Sequence, residues 1–460
     1  MTRDLQALAN QTFDLLVIGG GILGAGIARD AVLRGLTVAL VDQADFASGT
    51  SSRSTKLIHG GFRYLEQGAF GLVAESCRER AILQRLAPHL VRPVPFLFVV
   101  YDGDVRPLWK LRIGMTLYDL LALYRNTAPH RALTPAATLA REPRLRRTGL
   151  RGAVQFYDCQ EDDARFCLDN ILHAADLGAV CANYCGVTGF VQQTDRVLTA
   201  RTADFDIRAR WFINATGPWV DRLTPQVQLS PTKGVHLLLA ERLDHGVFWQ
   251  ARDGRLVFVI PWLDGAILGA TDTDFSGDPA TARADERDQE YLLGELQRTL
   301  PGIQPDVITT FAGIRPLLQS AASPSARSRE HRIVRVAANL LTVAGGKYTT
   351  YRAIAAEVLD LIRPGKSQTA RTPLPQHRPP PAGEPIADTP AVFESDIRYA
   401  RDVEMAQTLS DVMRRRTSLA LSRHGGREVA ERVAAILFAD PEQRRRQVAE
   451  YLAERARGTL

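Results

Sequence analysis

Three glycines, at 19, 21 and 24, form G-x-G-x-x-G between a short apolar run and a stretch with helical spacing. This spacing suits a dinucleotide pyrophosphate. The first glycine makes the tight turn, the second lets backbone approach the phosphates, and the third lets helix pack on strand. The anion then rests on the amides of the helix N-terminus. Asp42, 18 residues beyond Gly24, is placed to accept hydrogen bonds from a ribose 2′-OH. A second stretch sets Ser48, Thr50, Ser51, Ser52, Ser54 and Thr55 ahead of Lys56, His59, Gly60-Gly61 and Arg63-Tyr64. A diglycine beside a histidine reads as backbone pressed against a flat ring. The fingerprint alone does not choose the dinucleotide. Further glycine- and hydroxyl-rich segments far downstream favour a long FAD over a nicotinamide cofactor.

The elements that must position these groups are legible around them. Phe13 to Ile18 reads as a buried strand, 22 to 34 as a helix and Leu36 to Val41 as a second strand, which together make the first crossover of a parallel sheet. Arg208 to Asn214 and Leu340 to Val343 are further short strands running into small residues, Ala215-Thr216-Gly217 and Ala344-Gly345-Gly346. A nucleotide domain assembled from 13–90, 150–225 and 305–365 follows. Residues 229–275 alternate in strand fashion, so 91–149 with 226–304 is expected to form an antiparallel-sheet substrate domain. Residues 366–390 are proline-rich and read as a linker, and 391–460 as a small helical C-terminal domain. The arginine triplets at 414–416 and 444–446 read as solvated helix faces.

The chain of 460 residues carries 57 Lys plus Arg against 51 Asp plus Glu, a mild basic excess that does not call for a nucleic-acid partner. No apolar run reaches the length of about 20 residues that a membrane crossing needs, and the first residues lack a secretory signal, so an intracellular protein is expected. Five cysteines without C-x-x-C spacing indicate neither a disulfide framework nor a zinc site. Only five of the 57 cations are lysine, at 56, 110, 233, 347 and 366. Lys56, Lys233 and Lys347 fall inside the motifs, where a compact ammonium is expected to have a role that the arginine fork cannot fill.

At this density the motifs carry a resemblance. GGGILGAGIARDA (19–31), TSSRSTKLIHGGFRYLE (50–66), LAPHLVRPVPF (86–96), YDCQEDDARF (157–166), NATGPWVD (214–221), KGVHLLL (233–239), FVIPW (258–262), GATDTD (269–274), GIRPL (313–317) and GGKYTTYR (345–352) occur in this order. The chain resembles the FAD-dependent glycerol-3-phosphate dehydrogenases, respiratory flavoenzymes that pass electrons to quinone. The resemblance implies an α/β fold: a glutathione-reductase-like FAD-binding domain, an antiparallel-sheet substrate domain and a helical cap, here shorter than usual.

It also implies roles, residue by residue. Gly19, Gly21, Gly24 and Asp42 would hold the ADP half of FAD. Thr50, Ser51 and Ser52 would lie near the pyrophosphate or ribityl, and Lys56, Leu57 and Ile58 near the flavin. Ala215, Thr216 and Gly217 give a second close approach, while Gly345, Gly346, Lys347 and Thr349 would follow the ribityl chain and one flavin edge. Arg63, Tyr64, Arg315, Arg329 and Lys347 are the phosphate-binding candidates, because arginine donates two parallel hydrogen bonds to a phosphate. His236 and His59 are the candidate bases for the C2 hydroxyl of sn-glycerol 3-phosphate, an imidazole of ordinary pKa about 6.5 being suited to that task. Arg315 would also stabilise the developing carbonyl oxygen. No metal is implied. The partners implied are ubiquinone or a similar quinone and an anionic membrane surface on the cytoplasmic side, with a homodimer as a candidate assembly. The stretch from Trp109 to Tyr124, with interfacial aromatics and flanking cations, has the makings of a surface-lying helix, and a core-packed helix is the alternative. The competing function is an oxygen-using oxidase of glycerol 3-phosphate, or an FAD oxidase of another polyol phosphate or an amino acid. Several cations, rather than the single carboxylate clamp an amino acid needs, favour a phosphate.

Overall fold

The first apolar run folds as the strand Thr12–Ile18, fully buried from Leu15 onward, and the glycine turn delivers the chain into the helix Ile22–Leu33. A Cβ at Gly24 would stand 1.9 Å from the Gly19 carbonyl oxygen, so only glycine lets this helix lie so close to its strand. Val38–Val41 then pairs parallel beside the first strand, with Leu15 opposite Val38. The computed structural model describes residues 1–66, 68–123, 125–319 and 330–458, with the Arg63 side chain outside that description.

Two large sheets organise the molecule. The first runs His331–Ala337, Leu340–Gly345, Asp206–Asn214, Thr12–Ile18, Val38–Val41 and Val180–Ala182, parallel along this path except at the His331–Ala337 edge, with an antiparallel pair, Gly189–Gln193 and Arg196–Arg201, joined to Asp206–Asn214. The second is mostly antiparallel, and its strand Thr232–Leu239 is buried along its whole length between Gly265–Gly269 and Val307–Arg315. The expected fold class is thus the observed one. The expected segment bounds do not coincide with sheet membership: Leu57–Ile58, Leu150–Gln160 and Val307–Arg315, all assigned to the nucleotide domain, pair in the second sheet.

The C-terminal region contributes the helices Glu394–Asp402, Ala430–Leu437 and Pro441–Ala456. Within the expected linker, Pro385–Asp388 pairs with Ala391–Phe393 as a small hairpin. The reading of 414–416 as a solvated face is corrected. Arg415 and Arg416 are buried and both grip Asp45, with Arg415 Nε 2.6 Å from Oδ2 and Arg416 Nη2 2.8 Å from Oδ1. Burial alone would raise the Asp45 carboxyl, but the Arg416 and Arg415 guanidiniums outweigh it and hold the pKa down at about 2. This clamp fastens the C-terminal region to the loop that follows Val38–Val41. Removing one partner of such a buried pair typically costs about 3–5 kcal/mol.

All five cysteines are buried and free. Among the described residues no helix is long and apolar enough to cross a membrane, and no cluster of side chains has the makings of a metal site.

Candidate active site

A cavity of about 890 Å³ extends from the glycine turn across the seam between the two sheets. Its nucleotide end is built from the carboxyl ends of the parallel strands, where such sheets bind ligands. Gly19 and Gly21 line it, while Gly24 lies behind them in the helix packing. Asp42 also lines it, with Oδ2 accepting from the Gly20 amide at 2.6 Å and Oδ1 from the Ala44 amide at 2.9 Å. The carboxylate faces the cavity rather than bulk water, and this burial pushes its pKa up to about 6 despite the two amides.

The hydroxyl-rich stretch wraps the middle. Thr50–Ser52 is a short 3₁₀ turn. Thr50 Oγ1 donates to the Ile314 carbonyl at 2.6 Å, and Ser51 Oγ accepts the Ile22 amide at 2.9 Å, so both serve to position the loop. Ala215, Thr216 and Gly217 line the opposite wall, and Gly345, Gly346, Lys347 and Thr349 close the far end. Gly345 and Gly346 carry φ of +75° and +87°, which lets the chain leave its strand against the cavity. Thr349 Oγ1 meets the His59 amide at 3.3 Å. An elongated cavity with a helix N-terminus, an acid at the end of the second strand and a backbone-lined far end fits FAD.

A second chamber of about 400 Å³ adjoins the far end and shares Thr55, Leu57, His59, Tyr64 and Arg315 with the first. Its floor is aromatic, with Phe96, Phe248 and Phe258, and the Phe96 and Phe248 rings meet edge to face at 5.4 Å. At the junction His236 rises from the strand Thr232–Leu239, 2% exposed, stacked on Phe311 at 4.8 Å. Its Nε2 lies 3.1 Å from Thr55 Oγ1, while Nδ1 has no hydrogen-bond partner. Burial, then the charges of Arg315 and Lys56, lower its pKa to about 3, so the imidazole is neutral at physiological pH. Arg315 closes the same wall, with Nη1 2.9 Å from Asp272 Oδ1 and 3.2 Å from the Thr271 carbonyl. It lies across Gly234, where a Cβ would come within 2.2 Å of Nη2; any side chain there would evict the guanidinium. Lys347 Nζ stands 3.8 Å from the centroid of the buried Tyr64 ring and 3.3 Å from Ser76 Oγ.

Other expected residues lie elsewhere. Lys56 does not line the cavity: its ammonium is buried against Asp163 and bonds the Ser52 carbonyl at 2.8 Å, with the Trp262 and Phe311 rings on either side at 5.6 and 5.7 Å. A buried ammonium needs a counter-charge, and Asp163 supplies it. Ser52 and Ile58 likewise stay out of the lining, Ile58 as a core residue, whereas Leu57 lines both cavities. Lys233 pairs with Asp285 at 2.8 Å and Asp288 at 2.6 Å. Arg329 and the Arg63 side chain lie outside the described residues. Thr55, Asp163 and Asp272 are the partners that motif reading missed. Thr55 stood among six similar hydroxyls with nothing local to single it out, and both acids act across long sequence separations.

The family model of the FAD dependent oxidoreductases matches residues 14–352, and that of the C-terminal domain of alpha-glycerophosphate oxidase matches 348–442. Glycerol-3-phosphate dehydrogenase 2 of Mycobacterium tuberculosis is 35% identical over 97% of this chain and 88% of its own. The aerobic glycerol-3-phosphate dehydrogenase of Staphylococcus aureus is 38% identical over 77% of this chain and 68% of its own. Among solved structures, the Bacillus halodurans glycerol-3-phosphate dehydrogenase complexed with FAD superposes with a TM-score of 0.76 at 27% identity, covering 99% of this chain and 96% of that one.

Proposed function

The chain belongs to the family of FAD-dependent glycerol-3-phosphate dehydrogenases and oxidases, and on that premise we propose that it oxidises sn-glycerol 3-phosphate to dihydroxyacetone phosphate and delivers the electrons to a membrane quinone. Its cofactor is FAD, which supplies the hydride acceptor when bound. The carrying observation is the junction of the two chambers, where His236 with Thr55, Arg315 with Asp272, and Lys347 over Tyr64 all converge.

The substrate phosphate is held by Arg315 and Lys347, together with Arg63 and Arg329, the further cations of the family pattern; Tyr64 fixes the Lys347 ammonium in place. Arg315 is preorganised by Asp272 and so meets the substrate without a reorganisation cost. His236 takes the proton of the C2 hydroxyl at Nε2. The imidazole is neutral and can accept it; burial is the larger cause of its depressed basicity, and a phosphate dianion beside Arg315 offsets the smaller contribution of that charge. In the resting site the Thr55 hydroxyl donates to the single Nε2 lone pair; it turns aside as the C2 hydroxyl takes that position, and its oxygen can accept from Nε2–H after the transfer. His59, on the wall shared by both chambers, lines the flavin end.

The quinone acceptor rests on the helix Leu108–Leu121. Its inner face packs Leu111, Met115 and Tyr118 into the core, while its outer face exposes Trp109 at 65%, Ile113 at 62% and Leu120 at 48% beside exposed Lys110 and Arg112. Val105, Leu123 and Phe70, at nearby ends of the same region, are exposed as well. An apolar stripe flanked by cations suits the headgroup layer of an anionic bilayer, on the cytoplasmic side. The test is turnover of the FAD-loaded enzyme with glycerol 3-phosphate in air, with a water-soluble quinone analogue present and peroxide monitored. Quinone reduction outrunning peroxide formation is the expected result. Peroxide equal to substrate consumed, with the quinone untouched, would make it an oxidase.

A further inference from the structure

A third cavity, of about 390 Å³, lies behind the catalytic junction. It is walled by the ends of the strands Leu150–Gln160 and Leu256–Trp262, by residues 376–379 and 390–392, and by Glu404 and 416–418 of the C-terminal region. Its volume is at the small end of the range for ligand sites, roughly 300–1,000 Å³. Nothing in the proposed reaction uses it.

Its lining contains an unusual set of idle groups. Glu161 is 1% exposed and neither carboxyl oxygen has a hydrogen-bond partner. The Trp262 indole Nε1, also buried, has none, while His89 Nε2 and His377 Nδ1 lie 3.6 and 3.8 Å from the Asp169 carboxylate. Leaving a buried polar group unpaired costs about 1–3 kcal/mol, so two such side chains on one cavity mark a place where something else supplies the partners. Most formal charges on the same wall are already matched, the exceptions being the exposed Arg92 at the rim and Asp162, which caps a helix and accepts from Ser418 Oγ at 2.7 Å. Arg165 holds Asp169 and Glu404, each at 2.6 Å, Arg378 holds Asp396 at 2.8 Å, and Arg416 is committed to Asp45. Lys56, whose carbonyl accepts from the Glu161 amide, is spent on Asp163. Burial, followed by the negative charge of Asp163 and opposed by Lys56, pushes the Glu161 carboxyl well above the ordinary range, which favours the protonated form that can both donate and accept.

A cation here would face Arg165 and Arg416, and an anion would face Asp162 and Glu404. A neutral molecule with several hydroxyls disturbs neither and can satisfy the idle donor and acceptors together. We propose that this cavity is a binding site for a small neutral polyol, recognised by Glu161 and by the Trp262 N–H. The inference does not rest on the reaction proposed above. The site nevertheless touches the catalytic machinery: the Glu161 amide donates to the Lys56 carbonyl at 2.9 Å, and Trp262 is also the ring beside the Lys56 ammonium.

The test is calorimetric titration of the FAD-loaded full chain with xylitol, and with putrescine and malonate as charged probes of similar size. High polyol concentrations stabilise proteins generally by exclusion from the surface, and that effect does not saturate. The expected result is saturable one-to-one binding of xylitol only, weakened roughly tenfold or more in Glu161→Leu and in Trp262→Phe and retained in Glu161→Gln, which keeps a donor and an acceptor. No saturable heat, which would mean that ordered water alone occupies the cavity, overturns the proposal. So does binding of a charged probe instead, or xylitol binding that Arg315→Ala abolishes and Glu161→Leu leaves intact, which would put the polyol in the catalytic junction.

Discussion

His236 Nε2 and Thr55 Oγ1 lie 3.1 Å apart across 181 residues of sequence, at the wall common to the two chambers. The imidazole belongs to the strand Thr232–Leu239 of the second sheet, and the hydroxyl to the loop that wraps the nucleotide end. A strand of the second sheet and the loop between Val38–Val41 and Leu57–Ile58 thus supply the two halves of the proposed proton-accepting pair.

Replacing His236 with Asn should lower kcat by about 10²- to 10⁴-fold while substrate affinity changes little, because general-base assistance is lost and phosphate contacts are kept. Thr55→Val should cost roughly tenfold through the lost hydrogen bond. Stopped-flow flavin reduction reads both. An unchanged reduction rate in His236→Asn would transfer the role to another group, with His59 next in line.

Arg315→Ala should remove about 2–5 kcal/mol of binding to substrate and transition state, as for other buried charge partners. Arg315→Lys should recover only part of this, since an ammonium cannot span Asp272 and a phosphate as the fork does. Comparing kcat/KM for the two variants with the parent checks the assignment; equal values throughout would remove Arg315 from the site.

With Asp42 as the proposed ribose contact, FAD affinity should depend on pH. The Asp42 carboxyl, raised to about 6 by burial, must be ionised to accept hydrogen bonds from both ribose and backbone. FAD should therefore bind more tightly as pH rises through about 6 and be released as pH falls below it. For the FAD-free protein the sign is opposite. A raised carboxyl stabilises the fold fully below its unfolded value of about 3.9, and that contribution is lost as pH rises through 6. Fluorescence of released FAD against pH checks the first statement, and Asp42→Asn should flatten the curve.

Trp109→Ser combined with Ile113→Ser should abolish cosedimentation with anionic vesicles. Both side chains are more than half exposed, so turnover with a water-soluble acceptor should be unaffected. Vesicle binding that survives the double substitution would locate the membrane contact elsewhere.

What could be read in advance follows from the range of the physics. The glycine turn and Asp42 act within one strand–helix–strand unit, so spacing alone exposed them. That His236, Arg315 and Lys347 line one cavity was legible only because whole motifs resemble a family. The scarcity of lysine misled at two positions: Lys56 and Lys233 meet Asp163 and Asp285 across 107 and 52 residues, distances at which spacing carries no signal. Arg415 and Arg416 failed for the same reason, since Asp45 lies some 370 residues earlier and a polar triplet looks the same whether it faces water or a buried acid.

The central claim is that glycerol 3-phosphate is oxidised at the junction of the two chambers. The most direct test is anaerobic addition of sn-glycerol 3-phosphate to the FAD-loaded protein, with the oxidised-flavin absorbance followed alongside an Arg315→Ala control. The account predicts complete bleaching in the parent and a markedly slowed or weakened response in the variant. A flavin that stays oxidised in the parent would contradict it.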